Sequence, residues 1–477
     1  MQITNFGGNV SFSPRHFYTP ASEEEVIEIL DKHSTGTIRV IASLHAWSEA
    51  VVSEDVIIDM RLLNKVALQK DKNGFIAYVQ AGCKLKDLVK YINNNSDAAI
   101  PTLGGLMRQT IAGAISTGTH GSGASSLSHY MEEVRVAAYN AKTKKAEIYT
   151  FKEEDALQAV RCAVGCMGVI LSVKFRLVPK FFVKETTAHF KTLKEVLGHE
   201  KEFPLQQFMM IPYLWEYSVF QRKILPKLPA DVSLLKMRLY GFYDHAVVEI
   251  LPHLLLKFIL YLNLAINSKS FIPWFYKNLV PKFLTHRTVV NESSDGLTLH
   301  TLHHATFQHL EMEVFIPEEH IHKALEMIRY VTNIFAGIWE TQKETLGKEL
   351  GKAKLLERIQ NNKNSYIHHY PFFIRKVLPD EALISATTGN KSYYAIGFFT
   401  YFKEEHRKKF YEFAYCMAII LTKLFDARLH WGKYFPLQFE DVRHLYPNMN
   451  KFHKLCDEFD PKGVFRNKYA RRVLGLR

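Results

Sequence analysis

The first 178 residues alternate short apolar runs with turn residues, which is typical of an α+β fold with many short strands. Ser22 and Glu25 have the spacing of a capping box, and the apolar positions after them predict an amphipathic helix at 26–30. Pro179 ends this block because proline interrupts regular hydrogen bonding. The same patterns predict helices at 85–92 and 155–163, and strands at 38–42, 56–59, 75–81, 133–139, 146–151 and 171–177.

The middle of the chain, residues 180–440, is richer in aromatic residues and histidine. Strand-like runs occur at 312–317 and 393–401, which extends the predicted sheet structure into this part. The strongly charged run 340–362 predicts a single solvated helix. The middle is therefore also expected to mix helices and strands.

The most apolar run, 254–266, is interrupted by Lys257 and Asn263. It is too short and too polar to cross a bilayer. Together with 271–283, it has two interpretations, which the sequence leaves open. The two segments are a buried helix pair, or they lie on a membrane surface.

The charge balance is basic, with 61 Lys and Arg against 48 Asp and Glu, a net charge of +13. A basic chain can bind nucleic acid, an anionic membrane or an anionic ligand. No compact Lys/Arg block interleaved with aromatic residues occurs, so we do not expect nucleic acid as a partner. The net charge suits a bound diphosphate.

The cysteine and histidine patterns predict neither a disulfide framework nor a metal site. The five cysteines are odd in number and form no C-x-x-C pair, which favours a reducing compartment. The first 13 residues lack the apolar segment of a signal peptide, so we expect a cytoplasmic protein. No acidic or cysteine pattern accompanies the dense histidine run His300, His303, His304 and His309.

The most informative stretch is 109–123, which contains Gly113, Gly118, Gly121 and Gly123. Glycines let a backbone approach a ligand closely, and the interleaved hydroxyl side chains add neutral donors, so the stretch suits a diphosphate. It is neither a P-loop nor a G-x-G-x-x-G fingerprint after a strand. A turn-rich connector remains the alternative interpretation of this stretch taken alone.

Five segments in this order resemble one enzyme family: 41–48 (IASLHAWS), 109–123 (QTIAGAISTGTHGSG), 165–170 (GCMGVI), 430–433 (HWGK) and 460–465 (DPKGVF). Together they resemble the FAD enzymes of the vanillyl-alcohol-oxidase type, in the branch of the alditol and aldonolactone oxidases. The resemblance implies an α+β fold with a PCMH-type FAD-binding domain of two subdomains at 1–180. It also implies an α+β cap domain with a large antiparallel sheet at 181–440, and a tail at 441–477 that returns to the FAD domain.

The resemblance implies a set of FAD-binding residues. It leaves open whether His45 is bonded covalently to the flavin or only caps the strand before it. One departure concerns the turn before His45, where Ala42, Ser43 and Leu44 replace the usual glycines. Leucine adopts a positive φ only at a cost, which puts diphosphate binding by this turn in question. The implied residues are Ala42, Ser43, Leu44, His45, Ala46, Trp47, Gly104, Gly105, Gln109, Thr110, Ala112, Gly113, Ser116, Thr117, Gly118, His120, Gly121, Gly168, Val169, Ile170 and Lys433.

The resemblance also implies two catalytic residues, Arg375 and Lys433. Arginine at this place would orient the substrate oxygen, and a lysine beside the flavin would stabilise its anionic reduced form. By the resemblance, Phe373 and Gly397 fill the family's glutamate and histidine positions, which predicts a less polar or differently shaped substrate, or weakened activity. Glu313 matches a further acidic position, where it is either a carboxylate of the site or structural.

The expected activity is oxidation of a CH–OH group in a sugar alcohol, aldonolactone or related small molecule by an FAD enzyme. The small residue Gly104 leaves room for O₂, so H₂O₂ is the expected second product. Two alternatives stay open: a dehydrogenase with another electron acceptor, and a flavin-fold protein that has lost catalysis. The sequence offers no convincing general base. Peripheral membrane contact is left open, and the oligomeric state is not predicted.

Overall fold

A computed structural model describes residues 1–152, 154–230, 232–233, 254, 256–259, 261, 270–284, 286–298, 308–338, 344–352, 354–401 and 403–477. Among these residues, no helix is long and apolar enough to cross a membrane. The histidines at 300, 303 and 304 and residues 255, 260 and 262–266 of the apolar run lie outside the described residues.

The N-terminal part begins with a hairpin and a small parallel sheet. Ser22 caps the first helix by accepting from the N–H of Glu25, while the carboxylate of Glu25 accepts from the N–H of Ala21 at 2.8 Å. The parallel sheet has the strand order β3-β5-β4, and the first helix buries Val26 and Leu30 in the main core. The elements are β1 (Ile3–Thr4), β2 (Ser11–Phe12), β3 (His16–Tyr18), α1 (Glu23–Lys32), β4 (Ile38–Ile41) and β5 (Val56–Asp59).

A five-stranded antiparallel sheet follows, in the order β10-β9-β11-β7-β6. All six strands predicted before Pro179 are present within two residues of the predicted ends. The Gly-rich stretch is not a loop throughout, because a helix forms inside it. The elements are β6 (Val66–Asp71), β7 (Gly74–Gln80), α2 (Leu85–Asn95), β8 (Ala98–Ala99), α3 (Ile111–Ser116), β9 (Met131–Tyr139), β10 (Ala146–Phe151), α4 (Glu154–Val160), β11 (Val169–Arg176) and β12 (Val178–Pro179).

The second half of the chain builds an eight-stranded antiparallel sheet in the order β16-β13-β15-β14-β18-β19-β17-β20. The prediction of an α+β fold with a large antiparallel sheet is confirmed. The neighbouring strands β19 and β17, near one edge of the sheet, are buried along their whole length. The first elements are β13 (Phe182–Phe190), α5 (Leu193–Gly198), β14 (Gln207–Met210), β15 (Tyr217–Leu225), α6 (Phe271–Asn278), β16 (Arg287–Glu292) and α7 (Ser293–Leu297).

The remaining elements complete this sheet and the tail. They are β17 (His309–Pro317), α8 (Ile321–Ala336), α9 (Glu344–Lys352), α10 (Leu356–Asn361), β18 (Phe372–Val377), β19 (Tyr393–Tyr401), α11 (Glu404–Phe425), β20 (Arg428–Leu429), α12 (Phe439–Val442), α13 (Met449–Phe459) and α14 (Lys468–Leu474).

The prediction of one solvated helix at 340–362 is wrong. Two helices, α9 and α10, are separated by a turn in which Lys354 has a φ of 58°. Leu350 and Ile359 are buried in the main core. The many charged residues of this run led to the wrong prediction, because the apolar residues between them pack against neighbouring helices.

The C-terminal segment contacts the strand that leads to the turn at 42–47. The carbonyl of Val464 accepts from the N–H of Ile38 at 2.9 Å. The side-chain amide of Asn467 donates to the carbonyls of Glu49 and Val52, both at 2.9 Å. These contacts agree with a tail that returns to the N-terminal part, and the domain boundaries at 180 and 440 stay predictions.

Candidate active site

The turn that follows β4 contains a left-handed residue, at the position where the sequence has leucine in place of the usual glycine. Leu44 adopts a φ of 53°. Its carbonyl accepts from the N–H of Phe6 at 2.9 Å, and its side chain packs against the small cluster around Ile41 and Ile57. Such a conformation costs a non-glycine residue about 1–3 kcal/mol, so these contacts hold the turn in place.

The helix α3 inside the Gly-rich stretch begins at a capped end. The hydroxyl of Thr110 accepts from the N–H of Gly113 at 3.3 Å. The hydroxyls of Ser116 and Thr117 donate to carbonyls one turn earlier, at 2.7 and 3.5 Å. The hydroxyls of Ser116 and Thr117 therefore donate inside the helix. The sequence predicted that they donate to a ligand, and the structure shows them donating to the backbone instead.

A cavity lies between the turn at 42–47, the helix α3 and the segment His430–Lys433. It brings together most of the predicted cofactor-binding residues. Gly104, Gly118, His120 and Val169 are not in its lining. The predicted residues that line it are Ala42, Ser43, Leu44, His45, Ala46, Trp47, Gln109, Thr110, Ala112, Gly113, Ser116, Thr117, Gly168, Ile170 and Lys433.

The backbone of the turn suits an anionic group. Within the described part of the chain, the N–H groups of Ser43, Leu44 and Ala46 have no hydrogen-bond acceptor. Backbone donors that line a cavity in this way form a concave site for anions. The diphosphate of FAD is such an anion, so the donor set fits the cofactor.

A buried cation, Arg39, also lines this cavity. Its guanidinium donates to the carbonyls of Ala50, Val164 and Phe465, each at 2.6 Å, and to Gly165 at 3.3 Å. All four acceptors are neutral carbonyls. The positive charge of Arg39 is therefore not cancelled by these partners, and it favours an anion in the cavity.

His45 is held in one tautomer. Its Nδ1 donates to the carbonyl of Ser43 at 2.7 Å, because a carbonyl can only accept, and its ring stacks on Phe6 at 5.1 Å. Burial lowers the pKa of His45 to about 4 against the effect of the Ser43 carbonyl, and the nearby cations Arg108 and Lys84 lower it further. At neutral pH the ring is uncharged and its Nε2 is not protonated.

Lys433 is fixed by two partners. Its ammonium forms an ion pair with the buried carboxylate of Glu311 and lies 4.3 Å from the ring centre of Trp47. Burial opposes the ionisation of Glu311, but Lys433 and His309 outweigh it, so the pKa of Glu311 is lowered. The indole of Trp47 in turn donates to the carbonyl of His309. The cation thus has a defined position at the cavity wall.

A second buried acid pairs with a histidine behind this cation. His120 Nε2 lies 3.4 Å from a carboxylate oxygen of Glu313. Burial acts against the charge of Glu313, but His120 outweighs it, and the pKa of Glu313 lies well below its usual value. Glu313 is therefore an ionised carboxylate of this cluster, and His120 is its partner rather than part of the cavity lining.

His120, Glu313 and His430 place one possible metal-ligand atom each within 4.8 Å of one another. The Nδ1 of His430 accepts from the N–H of Gly432 at 3.0 Å, so its Nε2 carries the proton. Neither nitrogen of His430 then has a lone pair for a metal. Burial lowers the pKa of His430 to about 3, which keeps the ring neutral. The hydrogen bonding of the cluster thus argues against a metal.

Arg375 lines a smaller cavity with Gly105, Gly121 and Phe373. It lies on β18, opposite Gln207 of one neighbouring strand and Ala395 of the other. The two predicted catalytic residues thus line separate cavities. Arg375 lines its cavity together with Gly105, which precedes the Gly-rich stretch, and Lys433 lines the other cavity together with the turn at 42–47.

Aromatic rings surround the position where the sequence lacks the family's polar residues. Phe373 and Gly397 are opposite each other on β18 and β19. A Cβ on Gly397 would lie 2.7 Å from the ring of Phe399 and 3.3 Å from Glu311 Oε1. Phe373 meets Phe399 edge-on at 5.6 Å, and Tyr370 lies 5.5 Å from Phe399. An apolar wall therefore stands directly beside the Glu311–Lys433 pair.

Three residues of the site were not identified from the sequence: Arg39, Glu311 and Phe399. Glu311 and Glu313 are two residues apart on β17, so both carboxylates face the same side of the strand. This spacing could have identified Glu311 from the sequence once Glu313 was recognised. Arg39 lies on an otherwise apolar strand, which marks a buried charge that needs acceptors. For Phe399, the pairing of β18 with β19 had to be known first.

Residues 14–146 match the family model of an FAD binding domain, and residues 173–473 match that of D-arabinono-1,4-lactone oxidase. A long-chain alcohol oxidase from an uncultured marine euryarchaeote is 36% identical over 474 residues, which cover 99% of this chain and 97% of that protein. L-gulonolactone oxidase of Mus musculus is 26% identical over 99% of this chain and 98% of its own.

Solved structures with the same fold include a solvent-stable cholesterol oxidase. Its TM-score is 0.73 at 14% identity, and the match covers 100% of this chain and 97% of that one. The cholesterol oxidase from B. sterolicum gives a TM-score of 0.74 at 15% identity. At this identity the likeness concerns the fold alone. The family predicted from the five motifs is confirmed: the chain belongs to the D-arabinono-1,4-lactone oxidase family and is an FAD-dependent oxidase that acts on CH–OH donors.

Proposed function

We propose that the substrate is an alcohol with a long apolar chain, rather than a sugar alcohol or a lactone. The observation that carries this proposal is the ring cluster Phe373, Phe399 and Tyr370 beside the buried Glu311–Lys433 pair. A polyol would place several hydroxyls against these rings, where they would lose their hydrogen-bond partners. An alkyl chain loses nothing there.

The relative with 36% identity supports the same substrate class, since it is named as a long-chain alcohol oxidase. The relatives named for gulonolactone are more distant, at 26% identity or below. The match to the long-chain alcohol oxidase extends over almost the full length of both chains, so it includes the strands β17, β18 and β19 that form the apolar wall.

The residues of the site then have separate tasks. Bound FAD would be held by the turn at 42–47 and the helix α3, and it would supply the acceptor for the hydride of the alcohol carbon. Lys433, held by Glu311 and Trp47, supplies a fixed positive charge toward negative charge that develops at the cavity. For Arg375, which lines the separate smaller cavity with Phe373, contact with the substrate oxygen rests on the family resemblance alone. The alcohol loses one hydride and one proton to become an aldehyde, and O₂ takes up two electrons and two protons to become H₂O₂.

We also infer that His45 is bonded covalently to the flavin. A histidine that bonds to the flavin must offer an unprotonated ring nitrogen. The hydrogen bond of Nδ1 to Ser43 and the lowered pKa of His45 keep its Nε2 in that state. Acid precipitation of the purified protein tests this: the yellow colour stays with the pellet of the wild-type protein and is released from His45→Ala.

A substrate panel tests the proposed function. We expect kcat/KM for H₂O₂ formation to rise by about fourfold for each CH₂ added between butanol and decanol, because each buried methylene contributes about 0.8 kcal/mol. Xylitol and L-gulono-1,4-lactone are expected to react at least a hundredfold less well than decanol. A higher kcat/KM on either polar compound than on decanol would refute the proposal.

A further inference from the structure

A group of apolar side chains points outward from the segments 254–261 and 271–278. Leu254, Phe258 and Tyr261 are 52%, 58% and 67% exposed, and Trp274 on α6 is 49% exposed. The first three lie on one side of a helix, at i, i+4 and i+7. Trp274 also stacks on Phe271 at 5.9 Å. We call these four exposed side chains the docking face.

The inner sides of the same segments share one apolar cluster. Leu256 and Ile259 of the first segment and Ile272 and Phe275 of α6 are buried in it. Because both segments turn their buried side chains into one cluster, their exposed side chains lie on its outer side. The four exposed side chains of the docking face therefore belong to two segments that cover one apolar cluster, and exposed apolar patches mark contact sites.

The charge of this region suits an anionic surface. No Asp or Glu occurs between Glu249 and Glu292. Among the described residues of this interval, Lys277 and Lys282 are exposed, and Lys257 lies over the ring of Tyr401. Surfaces that bind anionic lipid headgroups typically combine cationic side chains with exposed aliphatic and aromatic side chains.

The apolar cluster under the docking face extends to the candidate active site. It contains Tyr370, Phe399 and Tyr401 as well as the two outer segments. Tyr276 of α6 donates to the carbonyl of His369 at 3.0 Å, next to Tyr370. The docking face and the apolar wall beside Glu311 are thus two sides of one packed unit.

We propose that the docking face inserts its four apolar side chains into the surface of an anionic membrane. The lysines around this face would contact lipid phosphates, and the protein would lie at the membrane surface without crossing the bilayer. This placement goes beyond the proposed function and is independent of it, although a membrane is also where a long-chain alcohol accumulates.

Sedimentation with vesicles tests the docking face without substrate turnover. The full-length protein is mixed with vesicles of phosphatidylcholine containing about a third phosphatidylserine, in low salt. We expect the wild-type protein to pellet with these vesicles and to be released by high salt. Phe258→Ser/Trp274→Ser is expected to reduce the partition coefficient at least tenfold, because two apolar side chains are lost from the interface.

Leu62→Ser/Ile148→Ser is the matched control, since Leu62 and Ile148 are exposed apolar residues far along the chain from this face. It is expected to bind vesicles like the wild-type protein. Oxidation of butanol in solution reports whether each variant is folded. If the docking variant has no activity, the wild-type protein is compared with the milder variant Trp274→Phe: brominated lipid should quench the Trp fluorescence of the wild-type protein, and Trp274→Phe should remove that quenching.

Three results would overturn the proposal. Wild-type protein that stays in the supernatant at low salt excludes docking. Equal binding by Phe258→Ser/Trp274→Ser and the control shows that another surface is used. A dimer in light scattering that Phe258→Ser converts to a monomer assigns the face to a second copy of this chain.

Discussion

The ion pair between Lys433 and Glu311 is the charged centre of the candidate site. Lys433 was predicted from the His-Trp-Gly-Lys motif, because the motif is local in sequence. Glu311 was not, because its distance from Lys433 depends on the contact of β17 with the segment after β20. A local motif can reveal a residue, while its partner appears only once the sheet is assembled.

Removal of the lysine tests this pair. Lys433→Met leaves the buried carboxylate of Glu311 without its main counter-charge, so we expect a loss of about 3–5 kcal/mol in the free energy of unfolding. Flavin reduction should slow by about a hundredfold or more. Glu311→Gln/Lys433→Met should regain most of the stability but not the rate. Chemical denaturation and single-turnover reduction measure the two effects, and a single variant as stable as the wild type would contradict the account.

Buried histidines should make the protein sensitive to acid. Burial lowers the pKa of His368 to about 3, from an ordinary value of about 6.5. Below pH 6.5 the histidine takes up a proton in the unfolded chain but not in the folded protein. The free energy of unfolding is therefore highest above pH 6.5, and it decreases as the pH falls toward the folded pKa. For one histidine the loss between pH 6.5 and 5 is about 2 kcal/mol.

His368 stacks on Phe372 at 4.5 Å and on Phe413 at 5.3 Å, so phenylalanine can replace it in shape. We expect His368→Phe to lessen the loss of unfolding free energy between pH 6.5 and 5 by about 2 kcal/mol relative to the wild type. Urea denaturation at both pH values measures this. An unchanged pH dependence would show that His368 is protonated in the folded state.

Among the secondary-structure elements, the strands before Pro179 were predictable because their apolar alternation is local. The order of the eight-stranded sheet was not, since β14 pairs with β18 across more than 150 residues of chain. The pairing of β18 with β19 then sets Phe373 opposite Gly397, beside the ring of Phe399. The sequence predicted the change in polarity there, but not the additional ring of Phe399.

A charge placed on β18 should alter substrate choice. Phe373→Glu introduces a carboxylate into the apolar wall, and an alkyl chain beside it would leave that charge poorly solvated. We expect kcat/KM for decanol to fall at least tenfold while that for butanol changes less than threefold. Phe373→Leu, which keeps the wall apolar, is the control. Equal losses for the two alcohols would place the alkyl chain elsewhere.

In the molecule as a whole, Arg39 connects parts of the chain that are far apart in sequence. Its four carbonyl partners belong to the segment after the turn at 42–47, to the loop before β11 and to the C-terminal segment. The tail is therefore bonded to a residue that lines the cofactor cavity. The sequence predicted a returning tail from family resemblance, but not the residue that joins it.

Arg39→Met should weaken this connection. The buried carbonyls of Val164 and Phe465 lose their guanidinium donor, each at a cost of about 1–3 kcal/mol, while the carbonyl of Ala50 keeps the side-chain amide of Asn467, so we expect at least about 2 kcal/mol less stability. The fraction of protein that carries FAD should fall as well. Arg15→Met, at an exposed arginine, is the control and should change stability by less than about 0.5 kcal/mol. Unaltered stability and flavin content in Arg39→Met would contradict this role.

The most direct measurement for the whole account is anaerobic reduction of the bound flavin, followed by its visible absorbance after rapid mixing. The account predicts that decanol bleaches the flavin in one phase, whose rate saturates with alcohol concentration, and that admitted O₂ restores the colour with formation of H₂O₂. Xylitol and L-gulono-1,4-lactone should leave the spectrum nearly unchanged over the same time. Rapid bleaching by either polar compound, with none by decanol, would contradict the apolar substrate.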